Sequence, residues 1–303
     1  MPEILPNPLD SLPCELSSLA VELAKVTKIS GGRLLLVGGS VRDLYLGSSP
    51  SEIDCEVQGL SIDQLKSTLS KNYTCHEVGK AFGVLKLRNL PVELSLPRTE
   101  IKTGTGHKGF SVDIDPHLPF ERSVQRRDFT INAIGLDPLT NELLDPTGGI
   151  SDIERRLLRH IGPAFSEDPL RVLRAMQFIA RFSLNIFPQT LSLCKSISME
   201  NLPPERLFEE WKKLLIKGNN LSAGLNFLKD CNWLKYFPEL HALVGCKQEP
   251  EWHPEGDAWV HTLHCMDAFA RERTGDSWED LVVGFAVLCH DLGKPMTTVI
   301  GED

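Results

Sequence analysis

Leu34-Leu35-Leu36-Val37-Gly38-Gly39-Ser40-Val41-Arg42-Asp43, with Glu52-Ile53-Asp54-Cys55-Glu56 beginning fourteen residues after Gly38, is the stretch that decides how this chain folds. Leu34–Val37 is a short apolar run of the kind found in buried strands. The paired glycines allow a tight turn and bring backbone N–H groups close to an anionic ligand. Val41–Leu46 then reads as a helix whose N-terminus favours phosphate. In an extended Glu52–Glu56 the side chains alternate, so Ile53, Cys55 and Val57 enter a core. Glu52, Asp54 and Glu56 share the other face, with neighbours about 6.6–6.8 Å apart along the strand. A row of like charges repels itself and calls for a cation, and hard carboxylate oxygens suit Mg²⁺. Alternating acids also describe any half-exposed strand. Joined to Gly38-Gly39 and Arg42-Asp43, they point instead to a phosphate cradle beside a metal-binding carboxylate row, the apparatus of nucleotidyl transfer.

The remainder of the chain sets limits on that reading. Its 303 residues, 41% hydrophobic, suffice for two or three globular domains. A net charge of −9 argues against a protein that coats nucleic acid non-specifically, so polynucleotide contacts must come from local basic patches. Met1-Pro2-Glu3-Ile4-Leu5-Pro6 lacks the basic start and apolar run of a signal peptide. No run approaches the roughly eighteen apolar residues of a membrane span. Eight cysteines are scattered without a CxxC pair, which implies reduced thiols and a cytoplasmic compartment.

Leu16, Leu19, Ala20, Leu23 and Val26 recur at helical spacing, and Gly31-Gly32 closes that helix. From there to about Asp145 the chain reads mainly as strands. Val84–Leu87 with Val92–Leu96 forms one expected hairpin, and Phe129–Leu136 with Glu142–Leu144 a second. Thr103–Gly109, with three glycines, is expected to be a mobile loop. After Asp145 the pattern is helical almost throughout. Asp168-Pro169 is a helix start, and Pro203-Pro204-Glu205 opens another helix through Trp211–Ile216. The fold class is therefore α+β, a head with a mixed sheet followed by helices.

Further residues carry chemistry. Glu93, on a later strand, is a weaker candidate for the carboxylate site and reads equally well as an exposed glutamate. Arg126-Arg127-Asp128, before an expected strand, offers bidentate phosphate contacts or else a surface ion-pair cluster. Arg171, Arg174 and Arg181 fall within about 80° of one another on an otherwise apolar helix, as if lining a polar cleft against the head. Arginines snorkelling from a core helix are the alternative. Asp168 and Arg171, one turn apart, together offer the acceptor and donors that complement a base's Watson–Crick edge. His261, His290 and Asp291, accompanied by His253 and His264, suggest a second metal site, although buried histidines are commonly structural.

In this order the motifs resemble those of bacterial class II tRNA nucleotidyltransferases (CCA-adding enzymes) and bacterial poly(A) polymerases. The residues that carry the resemblance are Gly38-Gly39-x-Val-Arg42-Asp43, Glu52-x-Asp54, Arg126–Ala133, Asp145-Pro-x-Gly148-Gly149-x-x-Asp152 and Glu167-Asp168-Pro-x-Arg171-x-x-Arg174. It implies two Mg²⁺ ions held by Glu52 and Asp54, with Glu56 an extra acid. Gly38, Gly39, Arg42, Arg127, Asp128 and Arg174 would bind the nucleotide, with Gly39, Arg42, Arg127 and Arg174 on its triphosphate, and Asp168 with Arg171 would read the base. Glu52 stands where an aspartate is usual. Gln177, where close relatives often carry arginine, is a weaker nucleotide contact. The resemblance divides the chain into an N-terminal helix (1–32), a nucleotidyltransferase head (33–150), a helical neck and body for base selection and RNA (151–250), and a partial HD-like segment (251–303).

The expected activity is addition of CMP and AMP from CTP and ATP to the 3′ end of tRNA, with the 99–119 segment moving between the C and A steps. CC-only, A-only or poly(A) addition are variants of it. An HD-type phosphohydrolase and a non-catalytic nucleotide- or RNA-binding protein are rivals of other classes.

Overall fold

The computed structural model describes residues 8–78, 83–102 and 110–298. The chain forms two compact units, which meet in sequence at Glu167 and Asp168.

The first unit is α+β. Helix α1 (Cys14–Ile29) buries Leu16, Ala20, Leu23 and Ala24, packs on strand β1, and ends before Gly31, whose φ is +89°. Strand β1 (Arg33–Val37) leads through Gly38 into helix α2 (Gly39–Tyr45), then β2 (Ile53–Gln58) and α3 (Ile62–Leu69). Strands β3 (Cys75–Glu77), β4 (Val84–Leu87), β5 (Val92–Ser95), β6 (Arg98–Lys102) and β7 (Phe110–Ile114) follow. Helix α4 (Phe120–Ser123), strands β8 (Gly135–Leu136) and β9 (Leu143–Leu144), and helix α5 (Gly149–Glu154) complete the order used below.

Among the described residues a mixed sheet runs β3-β4-β5-β2-β1-β8-β9, in which β2 and β5 pair in parallel and the other pairs are antiparallel. The alternation in β2 buries Ile53, Cys55 and Val57 at 1% exposure or less. The expected β4–β5 hairpin is present. The second hairpin is shorter than expected, because only Gly135–Leu136 and Leu143–Leu144 pair. Thr130–Asn132 forms a 3₁₀ turn instead of a strand, since Asp128 turns back to accept from the Phe129 N–H and the Asn132 amide. The segment expected to be a loop from 99 to 119 is a two-stranded ribbon over β6 and β7, which pair outside the main sheet. The glycine-rich Thr103–Gly109 lies outside the described residues.

Residues 151–167 belong with the head, beyond its expected end at 150. Asp152 of α5 accepts from Thr130 Oγ1 at 2.7 Å and from the Arg159 guanidinium at 3.0 and 3.1 Å. Phe129 also packs edge-on against Phe165 at 5.4 Å.

The second unit is helical: α6 (Leu170–Phe182), α7 (Pro188–Ser196), α8 (Pro204–Lys217), α9 (Leu221–Asp230), α10 (Pro238–Ala242), α11 (Ala258–Arg271), α12 (Ser277–Cys289) and α13 (Lys294–Thr297). Helix α6 packs against α8 and α9. A Cβ on Gly224 of α9 would lie 2.7 Å from the Met176 carbonyl, so glycine is what lets α9 approach that closely. Trp233 is fully buried, with its indole N–H shared by the carbonyls of Cys194 and Ile197. No helix among the described residues is long and apolar enough to cross a membrane.

Candidate active site

The turn between β1 and α2 needs glycine for two reasons. Gly38 adopts φ +68° and ψ −129°, a conformation that side chains strongly disfavour. A Cβ there would also stand 2.8 Å from Arg127 Nη1 and 3.8 Å from Asp54 Oδ2. The same measurement brings Gly38, Asp54 and Arg127 to one place. Ser40, on the first turn of α2, fixes the start of β2, because its Oγ accepts from the Asp54 N–H at 2.8 Å.

The three acids expected on one face have separate environments. Glu52 lies in the bend before β2 and is exposed. Asp54 is half-buried, opposite Glu93 in the β2–β5 register. Burial, then the charges of Glu93 and Glu52, raise its pKa to about 6 against the opposing pull of Arg127 and Arg42. Glu93 pairs with Lys86 at 3.0 Å. Glu56 departs from the expected row because α4 covers that end of β2. It is fully buried, and Ser123 Oγ lies 2.9 and 3.0 Å from its two oxygens.

Arg42 is only 5% exposed. Its guanidinium donates to Asp43 at 2.8 Å and to Asn132 Oδ1 at 2.6 Å. Asn132 in turn donates to Asp128 Oδ1 at 2.9 Å, and its carbonyl accepts from Arg127 Nη1 at 3.1 Å. Arg127 Nε is a buried donor without a hydrogen-bond partner. Asn132 links the two arginines, and Asp43 anchors Arg42. Gly39 lies against it, since a Cβ there would be 3.4 Å from Arg42 Nη2.

In the second unit, α6 begins at Leu170, one residue later than expected, and Asp168 still accepts from the Leu170 N–H at 3.1 Å. Its carboxylate is gripped by Arg206 of α8, at 2.7 and 3.3 Å from Nη2 and Nη1. Arg206 lies thirty-eight residues further on and carries no local signal that would have pointed to it. The expected arginine face is half-exposed at Arg171, Arg174 and Arg181, while its neighbours are buried. Arg174 lies over the Phe178 ring and Arg181 over Phe182. Gln177 is buried at 3% exposure, with an Oε1 that has no hydrogen-bond partner.

The histidine cluster also assembles in this unit. His261 Nε2 lies 4.0 Å and His290 Nε2 3.3 Å from Asp291 Oδ2. Glu255 accepts from the His261 and His253 rings. Its own backbone N–H, then those histidines, hold its carboxyl down to about 2. His264 is exposed. Cys265, unnoticed in the sequence, stands 3.4 Å from His261 Nε2.

Residues 34–159 match the model of the poly A polymerase head domain, and residues 184–244 match that of the probable RNA and SrmB-binding site of polymerase A. A multifunctional CCA protein of Stenotrophomonas maltophilia is 43% identical over 273 residues, covering 88% of this chain. The chain belongs to the class II CCA-adding enzyme and poly(A) polymerase family.

A second member of the family, the multifunctional CCA protein of Xylella fastidiosa, is 42% identical over 270 residues and 86% of the chain. The chain spans 65% of the Stenotrophomonas relative's length and 62% of the Xylella relative's. Solved structures of CCA-adding enzymes share the fold at lower identity. A Thermotoga maritima enzyme complexed with tRNA superposes with a TM-score of 0.63 at 21% identity, over 92% of this chain and 69% of that one. A CCA-adding enzyme with CTP gives a TM-score of 0.63 at 20% identity, over 94% and 71%. The family's head model encloses Gly38, Arg42, Asp54 and Arg127, and it ends at the residue whose guanidinium holds Asp152.

Proposed function

We propose that this chain is a cytoplasmic, template-independent nucleotidyltransferase that adds CMP and AMP from CTP and ATP to the 3′ end of tRNA. The observation that carries the reading is Asp54, a half-buried carboxylate crowded by two other acids, beside the Gly38 turn and Arg127. The names of the relatives, multifunctional CCA proteins and CCA-adding enzymes with tRNA or CTP, support the substrates.

The residues fit a divalent metal. Excess negative charge and burial hold a proton on Asp54 up to about pH 6, and a hard dication is the natural replacement for that proton. Glu52 and Asp54 would hold two Mg²⁺ ions, which when bound supply positive charge to the attacking ribose oxygen and the departing pyrophosphate. Gly38 and Gly39 leave room for the phosphates. Arg127, with its orphaned Nε, faces that room, and Arg42 stiffens the turn from behind through Asp43 and Asn132. Asp128 fixes Asn132. Arg174 contributes charge from α6, where Asp168 with Arg171 reads the base and Arg206 steadies the Asp168 carboxylate. Residues 33–167 form the transferase head and 168–250 the base-selecting, RNA-binding body, with an HD-like segment from 251.

Incubation with a tRNA lacking its 3′ terminal residues separates this reading from its variants. The expected product is two residues longer with CTP alone and three with CTP and ATP. A stop after two residues with both nucleotides, addition of A only, or a long A tail would each replace CCA addition by that narrower activity. No extension at all would leave a binding protein.

The raised Asp54 pKa gives a pH dependence with a definite sign. In the metal-free protein the protonated carboxyl contributes stability below about pH 4, and this is lost as the pH rises through about 6. Metal binding runs the opposite way, since the ligand must be deprotonated. The Mn²⁺ affinity that disappears in Asp54→Asn is expected to be about tenfold weaker at pH 5 than at pH 7, read by water-proton relaxation. A flat profile would remove Asp54 from the ligand set.

A further inference from the structure

Four polar side chains stand in register across one face of the head sheet. Asp54 on β2 is opposite Glu93 on β5, Glu93 is opposite Lys86 on β4, and Lys86 is opposite His76 on β3. Residues directly opposite in a ladder share a face. The other face of these strands is core, since Ile53, Cys55, Leu85, Leu87, Val92 and Leu94 are buried. The row therefore leads from the half-buried Asp54 to the exposed Lys86 and His76, toward the sheet edge at β3. Its charge changes sign on the way. Lys86 Nζ lies 3.0 Å from Glu93 Oε2, with the lysine side chain 53% exposed. Two residues on, the exposed Arg88 continues the same strand edge, and its N–H donates to the Thr74 carbonyl at 2.9 Å.

The flank of Asp54 on which this row lies decides what it can meet. Strand β2 has β1 on one side and β5 on the other. Strand β1 runs into the Gly38 turn, where Arg127 stands, so the triphosphate belongs to the β1 flank. In phosphoryl transfer the attacking and leaving oxygens lie roughly in line through phosphorus. Pyrophosphate departs on the side of Gly38 and Arg127, so the attacking ribose oxygen enters from the β5 flank. A nucleotide with its 3′ hydroxyl at Asp54 carries its own 5′ phosphate one sugar's length away. Neighbouring strands are about 4.8 Å apart, which sets Lys86 roughly 10 Å across from Asp54, on the path of that phosphate.

We propose that Lys86 and Arg88 hold the last two backbone phosphates of the acceptor RNA and guide its terminal hydroxyl over Glu93 to Asp54. This rests on the transferase reading of the head. A chain of net charge −9 needs such a local cation pair, because the acids of the site repel the RNA that must reach them. The ammonium of Lys86 has three donors, and Glu93 engages one of them. The hydrogen bond and charge of Glu93, with smaller pulls from Glu52 and Asp54, raise the Lys86 pKa and keep it cationic where the RNA arrives. Contacts to phosphate carry no sequence information. That suits an RNA end whose last base changes with every addition.

A charge-neutralisation cycle tests the assignment. The ligand is a tRNA lacking its 3′ terminal residues, made with ordinary phosphates or with methylphosphonates at its last two linkages. Its dissociation constant is measured without nucleotide. Lys86→Met with Arg88→Met should weaken binding of the ordinary RNA about tenfold or more. The slope of log affinity against log salt should fall by about 1.4, the value for two single-strand phosphate contacts. The methylphosphonate RNA should lose about as much with the unmodified chain, and little more with the double variant. Lys86→Arg with Arg88→Lys should bind the ordinary RNA normally, and KM for CTP should stay within twofold in both double variants. Losses that multiply when both partners are neutralised would overturn the proposal, as would unchanged RNA binding or a loss confined to CTP. Extension of the ordinary RNA by the unmodified chain reports separately on the transferase reading, so the two can fail independently.

Discussion

Asp54→Asn is expected to lower nucleotide incorporation by on the order of a thousandfold, the equivalent of about 4 kcal/mol of lost transition-state stabilisation. Asparagine has the same shape, and its backbone N–H can still donate to Ser40 Oγ, so the β2 start and the Gly38 turn should survive. What disappears is the anion that the site has gathered. The neighbouring Glu93 is occupied with Lys86, and Glu56 is sealed under Ser123, so neither can replace it. Binding of CTP should fall far less than the rate, because Arg127 and the glycine turn are unchanged. Single-turnover extension of a tRNA lacking its 3′ end, paired with CTP titration, measures both quantities. A rate within tenfold of the unmodified chain would place the reaction elsewhere.

The largest effect on stability is expected from Gly149→Ala. A Cβ at this position would lie 2.2 Å from the Thr130 carbonyl oxygen and 3.0 Å from Ile134 Cγ1. Neither neighbour can give way easily. The Gly149 N–H donates to Asp145 at 2.7 Å, and the Thr130 hydroxyl donates to Asp152 of the same helix at 2.7 Å. The substitution should cost about 3 kcal/mol, the upper range for forcing atoms into a packed site. It should also disturb Asn132, two residues beyond Thr130, and with it the arginines that Asn132 holds. Gly148→Ala is the control. There φ is +76° but nothing lies within 4 Å of the added carbon, so only backbone strain of about 1–2 kcal/mol applies. Urea midpoints of the two variants should differ in that order. A milder loss at Gly149 than at Gly148 would mean that α5 can shift away from the Thr130 turn at little cost.

Much of the head could be read along the chain because its signals are local. Strand β1, the glycine turn and α2 occupy neighbouring residues, and the buried face of β2 follows from a two-residue period. The Phe129–Ala133 segment misled for the same reason. Its composition suits a strand, but Asp128, Thr130 and Asn132 spend their polar groups in a side-chain network that bends the backbone. The end of the head at Glu167 was hidden as well, because Arg159 and Phe165 join it through contacts with residues far back in the chain.

Periodicity reports which residues share a face, and for that no distant segment is needed. It thereby established the α+β class, the strand–turn–helix at Gly38 and the arginine face of α6. The fate of each side chain on a shared face belongs to the folded molecule. Glu52, Asp54 and Glu56 look alike in the sequence, yet folding leaves the first in solvent, crowds the second until its pKa climbs, and buries the third under a serine sixty-seven residues away. In the same way Arg206 reaches Asp168 from thirty-eight residues further on, and Cys265 joins histidines on two helices. Burial and electrostatic environment depend on neighbours in space, which a linear pattern does not encode.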